Sequence, residues 1–158
     1  MTRKYILLIA LSLVGTISAL HLMGRQLWCS CNELSISSWD PWSKHNSQHF
    51  FDYYSFSHLL HGVLFYALLH LLLKTRPFNL RFSLAILIEC GWELLENSPL
   101  IIDRYRSVTS AVGYYGDSIL NSVGDLASCA FGFWLASKLP WRITLLVALL
   151  VEILMLLS

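Results

Sequence analysis

Residues 89–125 read ECGWELLENSPLIIDRYRSVTSAVGYYGDSILNSVGD, a stretch in which acids, arginines, asparagines and small residues interrupt sequence otherwise apolar enough to lie in lipid. On a helix Glu89, Glu93 and Glu96 recur at i, i+4 and i+7 and share one narrow stripe. By the same period Asp117, Asn121, Gly124, Asp125, Ser128 and Gly132 fall within about a 100° arc of a second helix. The stretch therefore predicts the end of one helix, an outward connector over 97–117, and the start of another.

Working outward, the flanking sequence decides the solvent. The chain has 158 residues, of which 56% are hydrophobic and 13% charged, well below the roughly 25% charged residues of a soluble domain. Apolar segments of about 20 residues satisfy their backbone in lipid only as helices, and none alternates as a barrel strand does. The expected fold is an all-α, multi-pass transmembrane bundle of about five helices in a single domain over 1–158. Its spans fall near 5–24, 55–73, 79–96, 118–137 and 141–157. Pro77 and Pro140 punctuate two of the turns. The first apolar run fills a membrane thickness and lacks a good small-residue cleavage site, so it is read as an uncleaved helix.

With the N-terminus inside, Arg3, Lys4, Lys74, Arg76, Arg81, Lys138 and Arg142 face inward, against Arg25, Lys44, Arg104 and Arg106 outside. The positive-inside rule selects this orientation. The polar segment 25–54, rich in Ser, Trp and Tyr, then lies outside, draped over the bundle. A net charge of +1 and the absence of a Lys/Arg run exclude a nucleic-acid partner. Cys29 and Cys31 in that segment are expected to be free or separately paired thiols, and Cys90 and Cys129 to be buried apolar groups. Sparse cysteines show no paired zinc motif, and the loop histidines His45 and His49 are expected to be solvated or packing residues.

Antiparallel helices bring distant residues to one depth. His58 and His61, three apart at the outer start of the second span, reach the level of Glu93, Glu96, Asp117 and Asn121, with Glu89 and Asp125 beneath. Glu152 of the last span falls at a depth where it can join them. Ionisable groups inside a span mark partners or functional cavities, whereas Gly124, Ser128 and Gly132 have the small-xxx-small spacing of a packing seam. His58, His61, Glu93 and Asp117 make a nitrogen and oxygen donor set suited to a divalent metal ion. Hydrogen bonding across the bundle is the open alternative. Arg104 and Arg106 suit carboxylates and phosphates alike, as internal braces or as hands for a lipid phosphate.

The strings HFFDYYSFSHLLHGVLFY, ENSPLIIDRYR and YYGDSILNSVGD, over 49–125, resemble a family of predicted bacterial inner-membrane proteins known only as a domain of unknown function. More distantly, the order of Glu89 or Glu93, Arg104 or Arg106, then Asp117, Asn121 and Gly124 resembles VanZ-like membrane proteins, which are associated with glycopeptide resistance. Trp92 and Glu93 stand where that pattern often carries glutamine.

Three functions are compatible with this pattern. In the first, an outer-leaflet pocket binds an anionic lipid or envelope intermediate, with His58, His61, Glu89, Glu93, Glu96, Arg104, Arg106, Asp117, Asn121 and Asp125 as its ligand-binding residues. In the second, a divalent metal at the same pocket activates water for hydrolysis of a lipid-linked substrate, with Glu93 or Asp117 as catalytic carboxylate. A proton conduit through Glu89, Asp125 and Glu152 is the third, and it lacks acids near the inner ends to complete a path.

Overall fold

The computed structural model describes residues 2–31, 33, 35–108 and 114–157. Among them are six helices: α1 (Arg3–Leu22), α2 (Ser55–Leu72), α3 (Phe78–Glu96), α4 (Pro99–Val108), α5 (Ile119–Lys138) and α6 (Trp141–Leu156). Five of them lie where the sequence placed its apolar segments, and the sixth is α4, inside the connector that the sequence was expected to leave as a loop. Pro99 opens it at the first helical position, where a missing N–H is no loss. Pro77 and Pro140 occupy the N-caps of α3 and α6 in the same spirit. Three helices, α1, α2 and α5, are long and apolar enough to cross a membrane.

The segment before α2 also departs from a purely helical fold. β1 (Ser37–Ser38) and β2 (Phe51–Asp52) form a short parallel bridge, Ser37 opposite Phe51 and Ser38 opposite Asp52. Cys29 and Cys31 are joined as a disulfide, contrary to the expectation of separate thiols. A tight turn brings their Cα atoms to 5.1 Å, within bonding reach.

α2 and α5 form the central pair. They approach until a side chain at Gly62 would collide with the Cys129 carbonyl, and one at Gly132 with the Leu59 carbonyl. Gly124, farther up the same face of α5, meets the Phe50 carbonyl of the loop. The small-residue stripe is thus a seam along its length, closing first on the loop and then on α2.

α3 packs antiparallel across this pair and α1 lies against α3. The core divides by depth. At one end Leu69, Ala85 and Phe133 pack with Phe65, Tyr66 and Phe82, and Ile86, Cys90 and Leu126 pack with Ile9 and Leu13. At the other end, where α2 and α5 begin and α3 ends, the buried side chains are polar. Outside, α1 and α6 expose Leu11, Val14, Leu146 and Leu150, and α6 has no buried residue.

Segment 25–54 closes the polar end by serving the N-terminus of α5. The first N–H groups of a helix have no partner inside it. Ile119 N–H donates to the Gln26 carbonyl at 2.8 Å and Leu120 N–H to that of Leu27 at 3.2 Å. Ser118, the N-cap, accepts from Asn121 N–H at 3.1 Å and donates its hydroxyl to the Gln48 carbonyl at 3.0 Å.

Candidate functional site

His58, on the first turn of α2, is buried and lies among carboxylates from two other helices. Its Nδ1 is 2.6 Å from Glu89 Oε1 and 3.4 Å from Glu93 Oε1. Its Nε2 is 3.8 Å from Asp125 Oδ2 and 3.9 Å from Glu96 Oε2. His61, one turn along, places Nδ1 3.1 Å from each Glu89 oxygen and its ring edge against Trp92. The i, i+3 and i, i+4 spacings did their work: His58 and His61 share a face of α2, and Glu89, Glu93 and Glu96 share the opposing face of α3.

Two ligand sets satisfy the geometry of a metal ion, His58, His61 and Glu89 in one, and His58, Glu93 and Asp125 in the other. Both differ from the expected set of His58, His61, Glu93 and Asp117. Glu89 is level with the histidines rather than beneath them, its carboxylate reaching both His58 and His61. Glu93 is fully buried and poorly satisfied, with only His58 Nδ1 at 3.4 Å and the Ser122 hydroxyl beside its carboxylate.

Asp117 belongs to a second, separate group. Its Oδ2 accepts from Asn97 Nδ2 at 2.8 Å, its Oδ1 from the Tyr114 hydroxyl at 2.9 Å, and its N–H donates to Asn97 Oδ1 at 2.8 Å. Asn97 is the C-cap of α3, so this exchange ties the end of α3 to the start of α5. Burial and, after it, the charge of Glu96 push the Asp117 carboxyl up to about 7, against the lowering effect of Tyr114 and Asn97. Tyr114 is raised in turn, by burial and by Asp117. Asn121 also leaves the cluster, donating Nδ2 to the His49 carbonyl at 2.8 Å.

Asp52, just ahead of α2, and Ser55, its first residue, were visible in the sequence only as polar residues, and the structure links them to Asp125. Asp52 accepts the backbone N–H of Ser47 at 2.7 Å and of Ser55 at 3.0 Å. The Ser55 hydroxyl donates to Asp125 Oδ1 at 2.9 Å. Burial raises the Asp52 carboxyl, opposed by those backbone donors. An apolar groove of about 300 Å³, lined by Trp39, Phe51, Phe56, Leu59 and Phe131, reaches Ser55 and so runs to the edge of the acid cluster.

The arginines do not enter it. Arg104 and Arg106 are exposed on α4, pair with no carboxylate among the described residues, and Arg106 lies over the Tyr115 ring at 4.7 Å. Glu152 is exposed on α6. His45 and His49, expected to be solvated or packing residues, sit close together, and His49 is buried.

The family model described as "Protein of unknown function (DUF2585)" matches residues 20–158. A UPF0314 protein of Rhizobium etli is 48% identical over 141 residues, covering 89% of this chain and 72% of the relative. A UPF0314 protein of Sphingopyxis alaskensis is 44% identical over 147 residues, 92% of this chain and 78% of the relative. No solved structure matches the chain. With a family match over most of its length and relatives approaching half identity, the chain belongs to the DUF2585 family of bacterial proteins of unknown function.

Proposed function

We propose that the protein is a multi-pass protein of the bacterial inner membrane whose His58 centre binds a divalent metal ion and hydrolyses a lipid-linked substrate. α1, α2, α3, α5 and α6 cross the bilayer with the N-terminus inside, in keeping with the Lys/Arg asymmetry and with the exposed leucines of α1 and α6. The centre then faces outward.

One observation carries the reading. Four carboxylates, of Glu89, Glu93, Glu96 and Asp125, surround His58 within 4 Å, and Glu93 is fully buried with no backbone N–H donating to it among the described residues. Buried carboxylates are paired, protonated or bound to cations, and two imidazoles cannot balance four acids. The same excess of acid disfavours an anionic headgroup inside the cluster. Arg104 and Arg106, outside it on α4, remain suited to a lipid phosphate at the interface. The VanZ-like pattern thus keeps only its glutamate in the pocket, its arginine lying outside on α4 and its acid, Asp117, paired with Asn97 and Tyr114.

Two histidines and a carboxylate are a donor set used by catalytic zinc, with a fourth position left for water. In this reading His58, His61 and Glu89 would hold the ion, whose chemistry there would be to acidify a water molecule. Glu93 would take the proton from that water and return it to the leaving oxygen or nitrogen as the scissile bond breaks. Asp125, fixed by Ser55, would orient His58 from its Nε2 side. The groove ending at Ser55 would receive the lipid chain and bring the carbonyl carbon or phosphorus of its head to the cluster.

Elemental analysis of protein purified without chelator, with the Cys29–Cys31 disulfide intact, tests it. One equivalent of a divalent metal is expected, lost in an H58A/E89A variant that still elutes as folded protein. Absence of stoichiometric metal from the wild type after supplying zinc, manganese and iron would overturn the reading.

A further inference from the structure

A second set of metal donors lies outside the bundle, in the segment that caps α5. Cys29, Cys31, His45 and His49 place one sulfur or ring nitrogen each within 4.8 Å of all the others. His45 Nδ1 is 3.3 Å from His49 Nε2 and 4.0 Å from Cys29 Sγ. Tetrahedral zinc, with bonds of about 2.0 Å to nitrogen and about 2.3 Å to sulfur, separates two nitrogens by about 3.3 Å and a nitrogen from a sulfur by about 3.6 Å. The nitrogens are therefore already at ligand spacing.

The outer sides of both rings point the same way. His49 Nδ1 is 2.9 Å from the Ser35 carbonyl, which can only accept, so that nitrogen carries the proton and Nε2 presents a lone pair toward His45. His45 turns Nε2 toward Glu33 Oε1 at 3.8 Å, leaving Nδ1 for the interior of the cluster. Backbone carbonyl and carboxylate partners of this kind are how ligating histidines are held in the right tautomer. Along the chain the pairs are Cys-x-Cys and His-x3-His; the histidine spacing is that of structural zinc sites, and the cysteine spacing is one residue shorter than usual.

We propose that the dithiol form of this segment binds one zinc ion through Cys29, Cys31, His45 and His49, and that the Cys29–Cys31 disulfide is its metal-free alternative. Reaching the dithiol from the disulfide takes two electrons and two protons, supplied by a dithiol reductant that leaves as its own disulfide. Zinc then displaces the two thiol protons. The ion pins the segment whose carbonyls satisfy α5: Cys29 is two residues from Leu27, and His49 supplies the carbonyl that Asn121 holds. The site is structural and independent of the His58 centre, since no residue is common to the two.

Cobalt is the probe, because its thiolate charge-transfer absorption reports sulfur ligation and is silent toward a nitrogen and oxygen centre. Full-length protein in detergent, reduced with a phosphine and shown by thiol titration to have gained two thiols, is titrated anaerobically with Co²⁺. The thiolate band should saturate at one equivalent and be displaced by Zn²⁺. Oxidised protein should show none. In an H45A/H49A variant with the same thiol count the band should be lost, or require at least tenfold more cobalt. Reduced wild type without the band would overturn the proposal, and so would a band of unchanged affinity in H45A/H49A.

Discussion

His58 Nδ1 lies 2.6 Å from Glu89 Oε1, the shortest imidazole to carboxylate contact among the described residues, between side chains that are both buried. Each group is the other's nearest compensation for leaving water. Glu89→Ala leaves a buried imidazole among the remaining acids without its hydrogen-bond partner. Unfolding of the metal-free protein in mixed micelles should show a loss of about 3 kcal/mol, the range for breaking a buried pair by deleting one member.

Glu93 predicts the opposite sign. Its carboxylate is fully buried and has beside it only His58 Nδ1 at 3.4 Å and the Ser122 hydroxyl, so Glu93→Gln exchanges a poorly partnered acid for a neutral amide. Metal-free E93Q should unfold no earlier than wild type, and metal-loaded E93Q should keep its metal, which His58, His61 and Glu89 hold, while hydrolysis falls. Full activity in E93Q would remove Glu93 as the proton acceptor.

The seam between α2 and α5 is tested at Gly62 and Gly132, where an added Cβ meets backbone carbonyls that cannot swing aside. Gly132→Ala should destabilise by about 1–3 kcal/mol through forced separation of the helices. Gly91→Ala, with nothing near its Cβ position, should be neutral or slightly stabilising because alanine favours the helix. Equal melting midpoints for the two variants would argue against close packing at this seam.

Asp117 gives a pH dependence with a definite direction. Its carboxyl is raised from 3.8 to about 7 in the folded chain, so between those values the folded state holds more protons than the unfolded state. Stability from this group is complete below about 4 and is lost as pH rises through about 7. Asp117→Asn keeps an oxygen acceptor for the Tyr114 hydroxyl and removes the titration. Unfolding midpoints measured from pH 4 to pH 8 should decline more steeply for wild type than for D117N.

Arg104 and Arg106 separate the two readings of the pocket. Both are exposed on α4 and unpaired with acids among the described residues, so R104A/R106A should leave metal content unchanged and stability within about 0.5 kcal/mol. Loss of a co-purifying anionic lipid from that variant would place lipid binding at the interface, apart from the metal centre. Loss of metal would contradict the separation of the arginines from the cluster.

Much of this arrangement follows from sequence, and the rest does not, for a geometrical reason. The helical period fixed which side chains of one helix share a face, so His58 with His61, Glu89 with Glu93 and Glu96, and the small stripe of α5 were legible. Proline and the long apolar runs fixed the breaks between segments. What the period cannot supply is how far one helix slides along another. The packing of α3 across α2 and α5 set Glu89 level with the histidines and left Asp117 with Asn97 and Tyr114.

Contacts made by irregular backbone were equally hidden. His45 and His49 meet Cys29 only because segment 25–54 folds back to satisfy the first N–H groups of α5, and no local pattern encodes a return over that distance. The sequence by itself determined the apolar helices and their stops, because these depend on composition and on one helix at a time. Only the tertiary structure decided which acid each histidine meets, because that depends on the packing of several helices and a loop at once.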